Sequence, residues 1–393
     1  MNIEKIKEII RNGENSYVEF KESLSKDIEL EKEIVALLNL RGGKILIGVS
    51  DDGRVKGVEE KELKNIEQII MNICRDVIKP EIIPIYEKVL IDGKFIVILE
   101  VNGIDKPYYV YRNNRKTYYI RVGTTVREAT RDELRRLFQA SGMIHYDENP
   151  VYNSSIEDLS ADKITEYFEK FREIEFKEKS EEEKINILLN SKILTQCEDR
   201  IVCTVAGVLL FGNQPSKFLS QSGIMFAHFK GTEISGELID RKEINKTIVE
   251  SIKEACEIIR LNILKSSKIE GIERIEKEII PERVMREAIV NACIHRDYTI
   301  YGANIRIFMF DDRLEIRSPG TLPNTITIEN MKIGVSVRRN PIIAQFVSDY
   351  RLAERTGRGV PMIIKEMRKI TGKEPKIEIV GEEVILTIYF PEK

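Results

Sequence analysis

Residues 30–53 read LEKEIVALLNLRGGKILIGVSDDG, a helix-favouring run that passes through a glycine pair into a short apolar strand. Leu30–Leu40 reads as a helix and Lys44–Val49 as a buried strand, with Gly42-Gly43 between them supplying the positive φ that ends one and starts the other. The strand stops at Ser50-Asp51-Asp52-Gly53, so carboxylates emerge at its carboxyl end. Outward from this pair, Ile3–Arg11 reads as an amphipathic helix, Tyr17–Lys21 as a strand and Leu63–Ile78 as another helix. Ile82–Leu90 and Lys94–Val101 flank Asp92-Gly93, a strong hairpin signal, and Lys116–Val122 adds a strand before a helix at Arg131–Ala140. Residues 1–145 therefore form an α/β unit.

Asp147-Glu148-Asn149-Pro150 reads as a linker, after which the texture changes. Residues 146–275 are mainly helical, and the helix, turn and second apolar helix between Lys184 and Gly212 have winged-helix character. Residues 276–393 return to α/β: a helix from Pro281, strands at Asn304–Phe310 and Arg313–Arg317, two further helices and a final strand pair, with helices over one sheet. The expected class is a multidomain α/β (α+β) protein in three parts. At 393 residues and 42% apolar content the chain can build more than one core. Five cysteines without a Cys-x-x-Cys pair argue against a disulfide frame or zinc ribbon. No run approaches the roughly 18 apolar residues of a membrane helix, so the expected address is cytoplasmic with no membrane partner.

Chemistry gathers first at residues 13–21, GENSYVEFK. Glu14 and Glu19 converge only if the chain turns at Asn15-Ser16, residues that favour a turn. On the strand, Glu19 and Lys21 share the polar face while Val18 and Phe20 point to the core. Glu14, Glu19 and a carboxylate from Asp51-Asp52, with Lys21 beside them, make the inventory of a hard-cation phosphodiesterase site. Mg²⁺ or Mn²⁺ takes oxygen ligands and activates water there. Solvated strand residues and a plain turn would leave the same letters.

Those residues, with EKEIVALLNLRGGKILIGVSDDGRVKGV after them, resemble the Schlafen-type AlbA domain over about a third of the chain. The resemblance implies that Glu14, Glu19 and Asp51 hold the metal and that Lys21 assists, as in the family's nucleases; other members are DNA-binding regulators. Although the net charge is −3, Lys106–Arg136 holds nine Lys/Arg against three acids, and tyrosines lie among them. Cations track phosphates and aromatic faces stack on bases, so Lys106, Tyr109, Arg112, Arg115, Lys116, Arg121 and Arg127 are the candidate RNA- or DNA-binding residues.

A second constellation lies at Glu287, Asn291 and His295, four residues apart and so one polar stripe on a helix. With Ser318-Pro319-Gly320, Arg339-Asn340-Pro341 and Glu354-Arg355-Thr356-Gly357-Arg358-Gly359 it resembles the Bergerat-type ATP-binding domain of gyrase, Hsp90, histidine kinases and MutL, an α/β sandwich. The resemblance implies ATP as cofactor, Asn291 as Mg²⁺ ligand, Glu287 polarising water, and Pro319, Gly320, Asn340, Gly357 and Gly359 around the nucleotide. Residues from Thr321 to Glu354 would form a lid. The usual Asp-x-Gly loop is replaced by Ser318-Pro319-Gly320. Family precedent also implies a homodimer. The expectation is a metal-dependent endonuclease on structured, tRNA-like RNA or on DNA, regulated by ATP. The competing classes are a non-cleaving ATP-binding transcriptional or defence regulator, and an ATPase whose first domain binds protein.

Overall fold

A computed structural model describes residues 3–24, 29–40, 42–103, 105–142, 144–268, 279–322, 326–353 and 357–391. The chain forms two compact units, 1–144 and 145–393.

The first unit runs α1 (Ile3–Asn12), β1 (Val18–Lys21), α2 (Leu30–Leu40), β2 (Gly43–Ile47), α3 (Glu60–Asn72), β3 (Ile78–Lys79), β4 (Ile85–Ile91), β5 (Lys94–Val101), β6 (Tyr109–Arg112), β7 (Arg115–Thr117), β8 (Tyr119–Val122), β9 (Thr125–Glu128) and α4 (Arg131–Ala140). Its main sheet has the order β1-β2-β5-β4, with β1 parallel to β2 and the other neighbours antiparallel. Alternation along the strands divides the core in two. Ile45, Ile47, Val97 and Leu99 pack under α2 and α3, while Val18, Phe20, Leu46, Ile96 and Ile98 pack against Ile6 and Ile10 of α1. Because Val18 and Phe20 face α1, Glu19 and Lys21 must face the α2 side.

Asp92 and Gly93 both take positive φ in the β4–β5 hairpin, as a two-residue turn of right-handed twist requires. At the glycine pair only Gly42 has positive φ (84°), its N–H closing α2 on Leu37 O. Gly43 is needed for a different reason: a Cβ there would stand 2.5 Å from Tyr17 O, where β1 and β2 meet.

The second unit runs α5 (Ala161–Phe171), α6 (Glu181–Asn190), β10 (Leu194–Cys197), β11 (Arg200–Cys203), α7 (Val205–Phe211), α8 (Pro215–Phe218), β12 (Ile224–Phe229), β13 (Leu238–Ile244), α9 (Ile248–Lys268), α10 (Glu282–His295), β14 (Ile305–Met309), β15 (Arg313–Pro319), α11 (Ile328–Lys332), α12 (Pro341–Asp349), α13 (Gly359–Thr371), β16 (Lys376–Val380) and β17 (Glu383–Tyr389). The expected break near residue 275 is corrected here. β12 pairs parallel with β14, which places β13 and β12 in one six-stranded sheet of order β13-β12-β14-β15-β17-β16. One apolar core runs from Tyr146 through Phe211 and Ile289 to Ile388. The winged-helix reading is also revised, since the β10–β11 hairpin separates α6 from the fully buried α7. All five cysteines are free thiols. Among the described residues no helix is long and apolar enough to cross a membrane.

Candidate nucleic-acid interface and nucleotide cavity

The amino-terminal acids begin with a local turn. Asn15 Oδ1 accepts from Tyr17 N–H, and Asn15 exchanges backbone bonds with Val18, which folds Glu14 back along β1. Glu14 Oε1 then accepts from Phe20 N–H at 2.8 Å, satisfying a donor of this edge strand. Glu19 is buried, and its carboxylate lies between Lys21, bonded to Oε1, and Arg121, whose guanidinium donates to Oε2 at 2.6 Å. Arg121 Nη1 donates to Glu33 of α2 at 3.1 Å, and Nη2, besides Glu19, reaches Asn15 O and Val18 O. Lys21 lies 3.7 Å from Glu33. Burial draws the Lys21 ammonium down, but Glu19 and Glu33 outweigh it and the net shift is upward. Burial, then the neighbouring charge of Glu19, raises the Glu33 carboxyl.

This arrangement differs from the three-acid expectation. Asp51 is exposed in the turn after β2, and Asp52 is tied to Ser50 Oγ and Arg54. Among the described residues no group of three His, Cys, Asp or Glu is placed to hold a metal ion. Glu14, Glu19 and Asp51 are thus not assembled into one cation site. The third carboxylate at Glu19 is Glu33, and a guanidinium stands between the two.

The basic segment also divides. Arg121 has no exposed side-chain surface, and Lys106 is buried with its ammonium on Leu40 O, so neither belongs to a binding surface. Arg112, Arg115, Lys116 and Arg127 are exposed on the β6–β7 and β8–β9 hairpins. Arg112 is anchored to Glu31 at 2.9 Å, Arg115 to Glu128 at 3.3 Å, and Arg127 makes a paired contact to Glu133. Lys116 sits over the Tyr109 ring, which packs on Tyr118.

In the second unit a cavity of about 350 Å³ opens beside α10, lined by Glu287, Asn291 and His295 together with Ser318, Gly320, Arg338, Gly357 and Gly359. Asn291 Nδ2 donates to Glu287 at 3.0 Å. The Glu287 carboxylate lies at the amino end of α13, so close that a Cβ on Gly359 would stand 1.7 Å from Oε1. A helix amino end attracts anions through its unpaired N–H groups and dipole, so this corner suits a phosphate as well as a carboxylate. The residues fit a nucleotide with Mg²⁺: Asn291 and Glu287 would face the ion, which would supply charge neutralisation at the phosphates. Burial, followed by the charges of Arg339 and Arg338, holds the His295 imidazole down to about 4, so it lines the cavity as a neutral group.

Two expected nucleotide contacts are instead scaffolding. Asn340 is fully buried and donates to Ile294 O and Arg296 O at the end of α10, and Pro319 O accepts from Asp297 N–H. Neither lines the cavity. Ser318 Oγ donates to Ala292 O at 2.9 Å, joining β15 to α10. The buried Arg339 of the Arg339-Asn340-Pro341 motif donates to His295 O, while Arg338, which lines the cavity, carries no motif that points to it. Glu354, Arg355 and Thr356 lie outside the described residues.

Gly320, at φ 118°, leaves room for nothing else: a Cβ would meet Arg339 at 2.3 Å and Asp297 Cβ at 2.7 Å. Gly320→Ala is expected to cost about 2 kcal/mol from backbone strain and to weaken nucleotide binding with it. Thermal melting with and without ATP checks both.

Comparison with known proteins follows this geometry. Residues 14–130 match the family model "Schlafen, AlbA_2", and residues 302–388 match HATPase_c_4, described as "Putative ATP-dependent DNA helicase recG C-terminal". The chain joins a Schlafen AlbA_2 domain to an ATPase-like domain. The AlbA_2 match spans Glu14, Glu19, Glu33 and Arg121; the HATPase_c_4 match begins after Glu287, Asn291 and His295. Among solved structures, the chain is similar to the DIP2311 protein from Corynebacterium diphtheriae at 20% identity, covering 99% of this chain and 69% of that one, with a TM-score of 0.46. It is also similar to the N-terminal domain of a "Putative ATP-dependent DNA Helicase RecG-related Protein" from Nitrosomonas europaea, at 17% identity, 32% and 92% coverage and a TM-score of 0.24. No curated protein matches it.

Proposed function

We propose that this protein binds nucleic acid through the AlbA_2 domain, without metal-dependent cleavage, and binds ATP in the cavity beside α10. One observation carries the choice of binding over cutting. Glu19, the acid on which the nuclease reading turns, is neutralised by Arg121, a buried guanidinium that also holds Glu33. A cation entering there would have to displace a side chain that makes four polar contacts within the fold. The exposed Arg112, Arg115, Lys116 and Arg127 supply the phosphate contacts, and the cavity's helix amino end supplies the site for the nucleotide's phosphates.

The test incubates the full chain with labelled tRNA and with DNA, with and without Mn²⁺. The expected result is salt-sensitive retention of intact nucleic acid, weakened at least tenfold by Arg112→Glu/Arg115→Glu/Lys116→Glu. Mn²⁺-dependent cleavage that Glu14→Gln removes would restore the endonuclease reading. Calorimetric titration with ATP, repeated on Asn291→Ala, checks the cavity.

A further inference from the structure

The second unit carries a cluster of cations that neither the nucleotide cavity nor the amino-terminal hairpins use. Lys332 of α11 faces Lys365, Arg368 and Lys369 of α13 across an open groove of about 440 Å³, floored by Pro361 and Ile364. Glu374 holds Lys332 at 2.8 Å and also bonds Arg368, so one carboxylate orients two cations and offsets only half their charge. Lys365 and Lys369 are both exposed, four residues apart on one helix face. Among the described residues neither has an acid within ion-pair distance.

Like charges at this spacing destabilise a helix. Arg368 and Lys369 in the last turn of α13, like Lys332 in the last turn of α11, answer a helix dipole, but that does not account for Lys365 in mid-helix. Lysine ammoniums with no carboxylate partner are strongly hydrated point charges, suited to phosphates, and the two repeat along α13 every 6 Å or so. A groove of this form fits a chain of phosphates better than a single anion. Ile364 lines both the groove and the nucleotide cavity, so α13 forms a wall of each.

We propose that the groove between α11 and α13 is a second contact for the phosphate backbone of single-stranded nucleic acid, made by Lys332, Lys365, Arg368 and Lys369. The proposal rests on the reading that the chain binds nucleic acid, and the experiment separates the two. Anisotropy of a labelled oligothymidylate is followed over a salt series with the full chain, with Lys365→Glu/Lys369→Glu, and with Arg115→Glu/Lys116→Glu. The α13 pair is expected to weaken binding about tenfold and to flatten the slope of log affinity against log salt by about 1.4, two contacts at about 0.7 each. Lys365→Gln/Lys369→Gln, which leaves the helix surface neutral, should give an intermediate loss. If Arg115→Glu/Lys116→Glu weakens binding while both α13 variants keep wild-type affinity and slope, the groove proposal is overturned and the amino-terminal reading stands. If wild type itself shows no salt-dependent binding, both fall. Loss of binding to phosphatidylserine vesicles by the α13 pair, with oligothymidylate binding unchanged, would assign the groove to a membrane and overturn the proposal as well.

Discussion

Arg121→Ala is expected to destabilise the amino-terminal unit by about 3–5 kcal/mol, the range found when one partner of a buried ion pair is removed. The side chain has no exposed surface and joins three segments: β1 through Glu19, α2 through Glu33, and the turn before β1 through Asn15 O. Its loss leaves Glu19 buried with Lys21 alone and removes one of the two donors that each of Asn15 O and Val18 O has in the fold. Truncation therefore strands charge in the interior, which costs more than the pair itself contributes. The double variant Glu19→Gln/Arg121→Met removes both charges at similar volume and should recover most of the loss, because an uncharged replacement of a buried pair is often neutral. Urea titrations read by hydrogen exchange at β1 and β2 amides give both values. A loss below about 1 kcal/mol for Arg121→Ala would mean that water reaches Glu19 and that the acid is free for a metal after all. Glu19→Ala alone is a poor probe of catalysis, since unfolding would abolish activity for a different reason.

The same cluster shows what the letters disclose and what they withhold. Strand alternation was enough to place Glu19 with Lys21 opposite Val18 and Phe20, and the turn at Asn15 was legible from residue type. Glu33 and Arg121 were not, because each meets Glu19 only through tertiary packing: Glu33 reads as an ordinary acid near the start of a helix, and Arg121 as one more cation in a basic stretch. The strand read over Lys116–Val122 divides into β7 and β8, so its alternation marks no single face, and Arg121 is buried while Val122 is exposed. In the second unit Gly223–Lys230 reads as a strand, which the structure places at β12, but its parallel partner β14 lies some eighty residues on. Parallel pairing leaves no turn signal to mark it, so the middle segment looked like a separate domain. The polar stripe of α10 was readable from its spacing. Asn340 reads as a nucleotide contact in the sequence because a buried amide that holds a helix end carries the same letter as one that binds a ligand.

Two groups in the second unit, the fully buried Asp147 and the partly buried His295, should titrate with opposite effects on stability between pH 4 and 6.5. His295 has its pKa held down to about 4 from an ordinary 6.5, mainly by burial and then by Arg339 and Arg338. Its folded value is depressed, so its contribution to stability is complete above pH 6.5 and is lost as pH falls toward 4. Asp147 moves the other way, raised by burial to about 6 from 3.8, even though Oδ2 accepts the N–H groups of Ile342 and Ile343 at the start of α12. Its folded value is raised, so its contribution is complete below pH 3.8 and is lost as pH rises through 6. Each shift is worth about 3 kcal/mol over its window, and the opposite signs should nearly cancel. Single variants separate them. On acidification from pH 6.5 to 4, wild type should lose about 3 kcal/mol relative to His295→Gln and gain about as much relative to Asp147→Asn. Hydrogen exchange at α10 and α12 amides reads the difference at each pH, and taking differences removes the titration of every other carboxylate. Parallel curves for His295→Gln and wild type would show that the cavity hydrates the imidazole in the free protein.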